Sequence, residues 1–126
     1  MKRVAIRVEP FSTYLERRRK GPIFPVILAG ETVYVSGLPP FDPDTGEIKR
    51  LPFTRQAEIV LDQMARCLKS AGSSLERVVK CNVYCTPEEA HFVAFNVRST
   101  PGIFPWTPRP ASFCMFRRGR VRSISK

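Results

Sequence analysis

The feature that most limits how this chain can fold is a stripe of apolar side chains at helical spacing between residues 55 and 71. Five residues share the stripe: Val60, Met64, Cys67, Leu68 and Ala71. They recur at intervals of three and four, so they lie along one side of a helix. Gly72 follows them and is placed to end that helix. We predict a helix over Arg55–Ala71, and its apolar side must be covered by another layer of structure.

Three other segments alternate apolar and polar residues with the period of two that is typical of half-buried strands. They are Val4–Val8, Glu31–Gly37 and Val78–Cys85. The segment Asp42–Gly46 predicts a tight turn after the second of them, because Pro43 presets φ and Gly46 tolerates positive φ.

A second helix is predicted to begin at Thr86, with Pro87 in its first position and Glu89 completing a capping box. The order is then strand, strand, helix, strand, helix. This order predicts an α+β fold, in which a mixed β-sheet carries two helices packed on one face. At 126 residues the chain is long enough for one compact core.

The cysteines and the one histidine give no metal site. Cys81 and Cys85 lie close in sequence, but neither a second cysteine pair nor a histidine at zinc-ligand spacing accompanies them. Reduced, buried or half-buried thiols are therefore expected for Cys67, Cys81, Cys85 and Cys114. His91 falls in the second predicted helix, where a surface position is the simpler interpretation.

The net charge of +10 suggests an anionic partner, but the charge is unevenly distributed. Residues 97–126 contain seven Lys or Arg and no Asp or Glu, whereas residues 1–96 are nearly balanced. The run Arg17-Arg18-Arg19-Lys20 is expected to be a solvated loop, and the alternative is a contact with phosphate or an acidic substrate. No apolar stretch approaches the roughly 20 residues of a membrane span, and no signal peptide is recognisable. A cytoplasmic protein that does not enter a membrane is expected.

Several motifs in a fixed order resemble the Rid (YjgF-like) family. They are Ala29–Gly37, Pro40–Glu47, Gln56-Ala57, Leu68–Lys80, Cys81–Tyr84 and Phe92–Asn96. The match runs without a large gap from about Pro22 to Asn96. We therefore interpret residues 1–96 as a Rid-like domain.

The resemblance implies a homotrimer with active sites in the clefts between subunits, and neither a metal nor an organic cofactor. Members of this family hydrolyse reactive enamines and imines such as 2-aminoacrylate to a keto acid and ammonia. It also implies that Ser36, Gly37 and Asn96 bind the substrate. An arginine grips the substrate carboxylate, and Arg109 is the candidate for that catalytic role. Some relatives place a tyrosine at the pocket where this chain has Ile23.

Residues 97–126 depart from the family and form a basic tail rich in proline and arginine. Prolines at 101, 105, 108 and 110 exclude a continuing helix. When the tail is back-translated and each codon begins at the third base of the previous one, Arg98–Lys126 yields A-V-Y-A-R-Y-F-P-V-D-P-P-A-R-I-F-L-H-V-P-P-W-P-G-P-F-D-I-E. That sequence restores the family's helix end, arginine motif and final strand. The tail is thus interpreted as a shifted reading frame, in which the family's last strand is missing or altered.

Three hypotheses about function follow. The first is a deaminase resembling 2-iminobutanoate/2-iminopropanoate deaminases, and the departures in the tail leave its activity open. The second is a Rid-fold protein that binds a small imine, enamine or carboxylate without catalysis. The third is a basic nucleic-acid binder that uses the tail. It is the weakest, because the tail contains no nucleic-acid module.

Overall fold

The computed structural model describes residues 1–86 and the strand Phe113–Arg117. These residues belong to two compact units, Met1–Leu75 and Glu76–Lys126. In the first unit the elements are β1 (Arg3–Ile6), α1 (Phe11–Arg19), β2 (Val26–Ala29), β3 (Thr32–Val35) and α2 (Phe53–Ser70). A single 3-10 turn, Leu75–Arg77, precedes β4 (Cys81–Cys85), and β5 (Phe113–Arg117) pairs with β4.

The three strands of the first unit form an antiparallel sheet in chain order, with β1 at one edge. β1 and β3 were expected from their alternation. β3 forms within its predicted segment, and β1 overlaps its segment but begins one residue earlier and ends two residues earlier. β2 was not predicted. Its residues, Val26–Ala29, are a short continuous apolar run with no period of its own. A run of this kind does not distinguish a buried strand from a helical turn.

Helix α1 corrects the expectation that the run Arg17-Arg18-Arg19-Lys20 is a loop. Arg17, Arg18 and Arg19 form the last turn of the helix, where positive charge favourably faces the negative end of the helix dipole. Lys20 ends the helix with a left-handed backbone conformation, and its N–H donates to the Glu16 carbonyl. At the other end the Ser12 Oγ accepts a hydrogen bond of 2.8 Å from the Val8 N–H.

Helix α2 confirms the predicted helix within two residues at each end. Cys67 and Leu68, from its apolar stripe, are buried. The helix ends as predicted at Gly72, whose φ is +73°. The Gly72 N–H donates to the Lys69 carbonyl, and the Ser73 N–H donates to the Leu68 carbonyl, which is the Schellman arrangement. No helix of the described residues is long and apolar enough to cross a membrane.

The core of the first unit brings both helices, the sheet and the loop after β3 together. Its buried members are Val8, Phe11, Leu15, Val26, Phe41 and Cys67. Val33 and Val35 of β3 pack against this cluster from the sheet. Burying a large apolar side chain contributes roughly 1.5–3 kcal/mol. The six buried residues thus stabilise this unit. The predicted α+β class is confirmed, with an antiparallel sheet and two helices in the first unit, of which α1 was not predicted.

The predicted turn at Asp42–Gly46 is also confirmed. The Asp42 carboxylate accepts hydrogen bonds from the N–H groups of Asp44 and Thr45, at 2.9 and 3.2 Å. Tyr14 of α1 packs against this turn, and its hydroxyl donates to the Pro43 carbonyl at 2.9 Å. Gly46 has a φ of +75° and lies so close to the Tyr14 ring that no side chain fits there.

In the second unit, β4 and β5 pair in parallel, from Cys81↔Phe113 to Cys85↔Arg117. β4 lies within the predicted segment Val78–Cys85. β5 lies in the tail, where no strand was predicted, so part of the tail does have regular structure. The helix predicted from Thr86 and the final strand predicted to be lost both lie outside the described residues.

Replacement of Gly46 should destabilise the first unit. In Gly46→Ala the new Cβ would lie 2.6 Å from the Tyr14 Cε1. The left-handed backbone alone costs roughly 1–2 kcal/mol for a residue with a side chain. We expect a lower melting temperature by circular dichroism. Gly21→Ala is the matched control, because a Cβ there meets nothing within 4 Å. Equal melting temperatures for the two variants would contradict the packing of Tyr14 on the turn.

Candidate functional site

The two residues expected to line the pocket, Ser36 and Gly37, directly follow β3 and are exposed. The Ser36 N–H donates to the Pro25 carbonyl at 2.9 Å, and Pro25 is itself buried beside β2. This bond extends the contact between β2 and β3 by one residue beyond the paired strands. The chain at Ser36 is therefore fixed by the sheet, although its side chain is open to solvent.

Gly37 has no structural reason to be glycine within the described residues. Its φ is not in the left-handed region, and a Cβ built on it meets nothing within 4 Å. Gly46 of the same unit differs on both counts. The space beside Gly37 is open, and a ligand or a second copy of the chain could approach the backbone there.

Gln63 of α2 supports the segment that follows Gly37, and this role was not predicted. The side chain is 3% exposed, and its Nε2 donates to the Pro39 carbonyl at 2.7 Å. Its buried Oε1 has no hydrogen-bond partner among the described residues. The sequence does contain a signal, because position 63 falls between Val60 and Cys67 on the apolar stripe. A glutamine there needs a partner in the core.

The other predicted site residues, Asn96 and Arg109, lie outside the described residues, as do His91 and the side chains of Cys85 and Cys114. The described part of the chain thus brings together Ser36 and Gly37 only. Ile23, at the position where some relatives have tyrosine, packs against the core of the first unit. Its apolar side chain cannot donate a hydrogen bond to a ligand.

Two cysteines are described, and both are free thiols. Burial raises the pKa of the Cys67 thiol to about 11 and raises the pKa of the Cys81 thiol as well. Both are therefore protonated at neutral pH, and a protonated thiol is a poor nucleophile and metal ligand. For these two residues the predicted burial is confirmed, since Cys67 is buried and Cys81 is half-buried.

The turn carboxylate of Asp42 is held by three hydrogen bonds. Lys49 donates a hydrogen bond of 2.7 Å to Asp42 Oδ2, and Asp44 and Thr45 donate their N–H groups to Oδ1. The Lys49 ammonium and these N–H groups lower the pKa of Asp42 from 3.8 to about 2. The turn therefore depends on an ionised carboxylate. No group of three or more possible metal ligands occurs among the residues whose side chains the structure describes.

The profile of the family described as Endoribonuclease L-PSP matches residues 19–115. The RutC family protein y4sK of Sinorhizobium fredii is 36% identical over 107 residues, which cover 85% of this chain and 82% of that protein. The chain belongs to the Rid family. Its profile match begins in α1 and extends into β5, and so includes part of the tail.

Two further comparisons agree with this family and its fold. A solved structure of RidA from the Antarctic bacterium Psychrobacter sp. PAMC 21119 superimposes with a TM-score of 0.63 at 31% identity, covering 82% of this chain and 80% of that one. The human 2-iminobutanoate/2-iminopropanoate deaminase is 33% identical over 63 residues, which is 50% of this chain and 46% of that protein. The likeness to the human enzyme is thus limited to about half of each chain.

The contribution of Asp42 to stability should disappear in acid. Because folding lowers its pKa, the contribution is complete above the ordinary pKa of 3.8 and is lost as the pH falls to about 2. Asp42→Asn should melt at a lower temperature than the unchanged chain at pH 6. That difference should shrink between pH 4 and pH 2. Asp62→Asn, on the exposed side of α2, removes the same charge away from the turn and is the control. A difference for Asp42→Asn that is independent of pH would contradict the Lys49–Asp42 pairing.

Proposed function

We propose that this protein descends from enamine and imine deaminases that act in the cytoplasm on small reactive intermediates such as 2-aminoacrylate. In the proposed reaction, a water oxygen attacks the C=N carbon of the imine tautomer. The C=N bond becomes a C–N single bond, the nitrogen gains protons and leaves as ammonia, and a keto acid remains. Ammonia leaves as the C–N bond breaks and the added oxygen loses its proton to form the C=O bond. Addition, proton transfer and elimination involve no net oxidation or reduction, so the reaction needs no redox cofactor.

The observation that carries the proposal is the position of Ser36 and Gly37. In the proposed pocket, their backbone would contact the substrate from the end of β3. The Ser36 N–H bond to Pro25 and the Gln63 bond to Pro39 hold both sides of Gly37 in place. A polar ligand benefits from such a fixed backbone, because little entropy is lost in ordering the site. The family membership and the partial likeness to the human deaminase support the same chemistry.

The proposed clamp for the substrate carboxylate is an arginine, since a guanidinium pairs with a carboxylate through two parallel hydrogen bonds. Arg109 is the candidate in the chain as it stands. In the shifted frame, the arginine codon of the P-P-A-R motif straddles Pro110 and Ala111, so Arg109 has different neighbours. We propose that the shifted frame encodes the complete clamp and the final strand, and that activity depends on it.

We propose further that the protein is a homotrimer with its pockets between subunits. The register places Ala5, Ile27 and Tyr34 side by side on the face of the sheet opposite the core. Tyr34 is 60% exposed, and the core-facing residues Val33 and Val35 lie on the other side. An uncovered sheet face with an aromatic residue is a surface that a second copy could bury. The open side of Gly37 supports the same arrangement.

The second candidate function is a Rid-fold protein that binds a small carboxylate, imine or enamine without turning it over. It is favoured by the departure of residues 97–126 from the family, since the deaminase clamp belongs to that region. The two candidates share the Ser36–Gly37 pocket and differ only in whether keto acid is formed. Ligand binding without product formation would support the second.

Gly37→Ala should lower ligand affinity while it leaves the stability of the fold nearly unchanged. Because a Cβ at position 37 meets nothing within 4 Å among the described residues, the melting temperature should change little, by an amount equivalent to less than about 0.5 kcal/mol. The methyl group would instead enter the proposed pocket and weaken substrate binding. Ligand affinity, measured by calorimetry with a stable carboxylate such as 2-oxobutanoate, should fall at least severalfold. Unchanged affinity would remove Gly37 from the pocket, and Gly21→Ala is the control.

Restoring the shifted tail should restore catalysis. We would compare the chain as it stands with one in which residues 98–126 carry the shifted-frame sequence. Pyruvate formation from freshly generated 2-aminoacrylate would be measured above the uncatalysed rate. A charged hydrogen bond contributes about 1.5–3 kcal/mol, so the complete arginine clamp should accelerate the reaction roughly 10- to 100-fold.

Two controls make this comparison specific. Alanine in place of the arginine in the restored P-P-A-R motif should abolish the gain, whereas Arg109→Ala should lower only the smaller activity of the unrestored chain. The gene sequence gives an independent check, because an error-free and in-frame sequence of this tail would refute the shifted frame. Equal activity of the restored and unrestored chains would refute the role assigned to the tail.

A further inference from the structure

The first unit contains a cleft that Ser36 and Gly37 do not line. It lies between the end of α1 and the segment that follows the Asp42–Gly46 turn, and its volume is about 520 Å³. Arg17 and Arg18 line it on the helix side, and Glu47, Ile48 and Lys49 line it on the other. The volume falls within the range of about 300–1,000 Å³ that is usual for small-molecule sites.

The two arginines of this cleft have no acidic partner among the described residues, unlike Arg7 and Arg55. Arg7 is bonded to both Glu9 and Glu16, and Arg55 is bonded to Glu58. The described part of the chain gives neither Arg17 nor Arg18 an ion pair. The two guanidiniums therefore retain their hydrogen-bond donors for a ligand.

The opposite side of the cleft does not neutralise these two charges. The Lys49 ammonium is bonded to Asp42 at 2.7 Å, which leaves Glu47 as the anion of the lining. Two free guanidiniums thus face one carboxylate, and the cleft retains an excess of positive charge. The helix dipole favours cations in the last turn of α1, but Arg19 and Lys20 serve that purpose as well and do not line the cleft.

The two sides of the cleft are held together without any ligand. The Tyr14 hydroxyl donates to the Pro43 carbonyl, and the Tyr14 ring packs on Phe41 with ring centres 5.6 Å apart. Gly46 allows the turn to approach that ring. A cleft built on such contacts is already formed when a ligand arrives, which reduces the entropy lost on binding.

We propose that this cleft binds a small oxyanion, the phosphate or carboxylate group of a metabolite-sized molecule, between Arg17 and Arg18. Guanidinium groups suit both kinds of oxyanion because each can donate two parallel hydrogen bonds. Glu47 repels the anion and limits its affinity. The site is independent of the deaminase proposal, because neither Ser36 nor Gly37 contributes to it.

Calorimetric titration of the full chain with inorganic pyrophosphate and with succinate, at constant ionic strength, tests the site. Arg17→Gln/Arg18→Gln should weaken binding of the better probe at least about tenfold. Arg19→Gln/Lys20→Gln removes the same charge from the same run outside the cleft, and should change the affinity less than about twofold. Tighter binding of pyrophosphate would indicate a phosphate ligand, and tighter binding of succinate would indicate a carboxylate.

Glu47→Gln provides a test that a folding defect cannot imitate. Removal of the repelling carboxylate should tighten binding severalfold, whereas a damaged protein would bind more weakly. The proposal is overturned if neither probe binds, if both double variants lose affinity equally, or if Glu47→Gln has no effect. Binding of an RNA oligonucleotide that both double variants weaken equally would indicate a diffuse basic surface instead, and would also overturn it.

Discussion

The buried cluster that contains Phe11, Phe41 and Cys67 is the constraint on which the first unit depends. Phe11 is 1% exposed, and it brings α1 into the same cluster as the loop after β3 and the last turn of α2. The Arg66 guanidinium lies over the Phe11 ring, 5.1 Å from its centre, so the ring is covered from the α2 side as well. Without this cluster α1 would be a short, highly charged segment, and its few helical hydrogen bonds would not hold it in water.

The elements that could be predicted from the sequence are those with a strong periodic or local signal. The stripe of α2 extends over about three turns, and the helix forms within two residues of its predicted bounds. The Asp42–Gly46 turn was predicted from residue chemistry that acts locally. In contrast, α1 buries Phe11, Ser12 and Leu15, and charged residues follow them. A helix with so short an apolar side is recognisable only once its partners are known.

The candidate site, too, could be predicted only where a local pattern or motif marks its residues. Ser36 and Gly37 were located from the family motif, and the structure gives them a fixed backbone. The support from Gln63 depends on a partner 24 residues away, the Pro39 carbonyl, which no local pattern identifies. The distribution of charge was predicted in part, since the Arg17–Lys20 run was noticed and its alternative as an anion contact was stated. Only the observed helix shows that Arg17 and Arg18 line a cleft while Arg19 and Lys20 lie outside it.

The close approach of Tyr14 to Gly46 also restricts the order in which substitutions at positions 14 and 46 can be tolerated. A side chain at position 46 meets the Tyr14 ring, so a substitution there is tolerated only after Tyr14 has been replaced by a smaller residue. Even then the positive φ of position 46 favours glycine or asparagine. The loss of Tyr14 in turn removes the hydroxyl that binds Pro43. The two positions are therefore expected to evolve as a coupled pair, in which the first substitution determines whether the second is neutral or harmful.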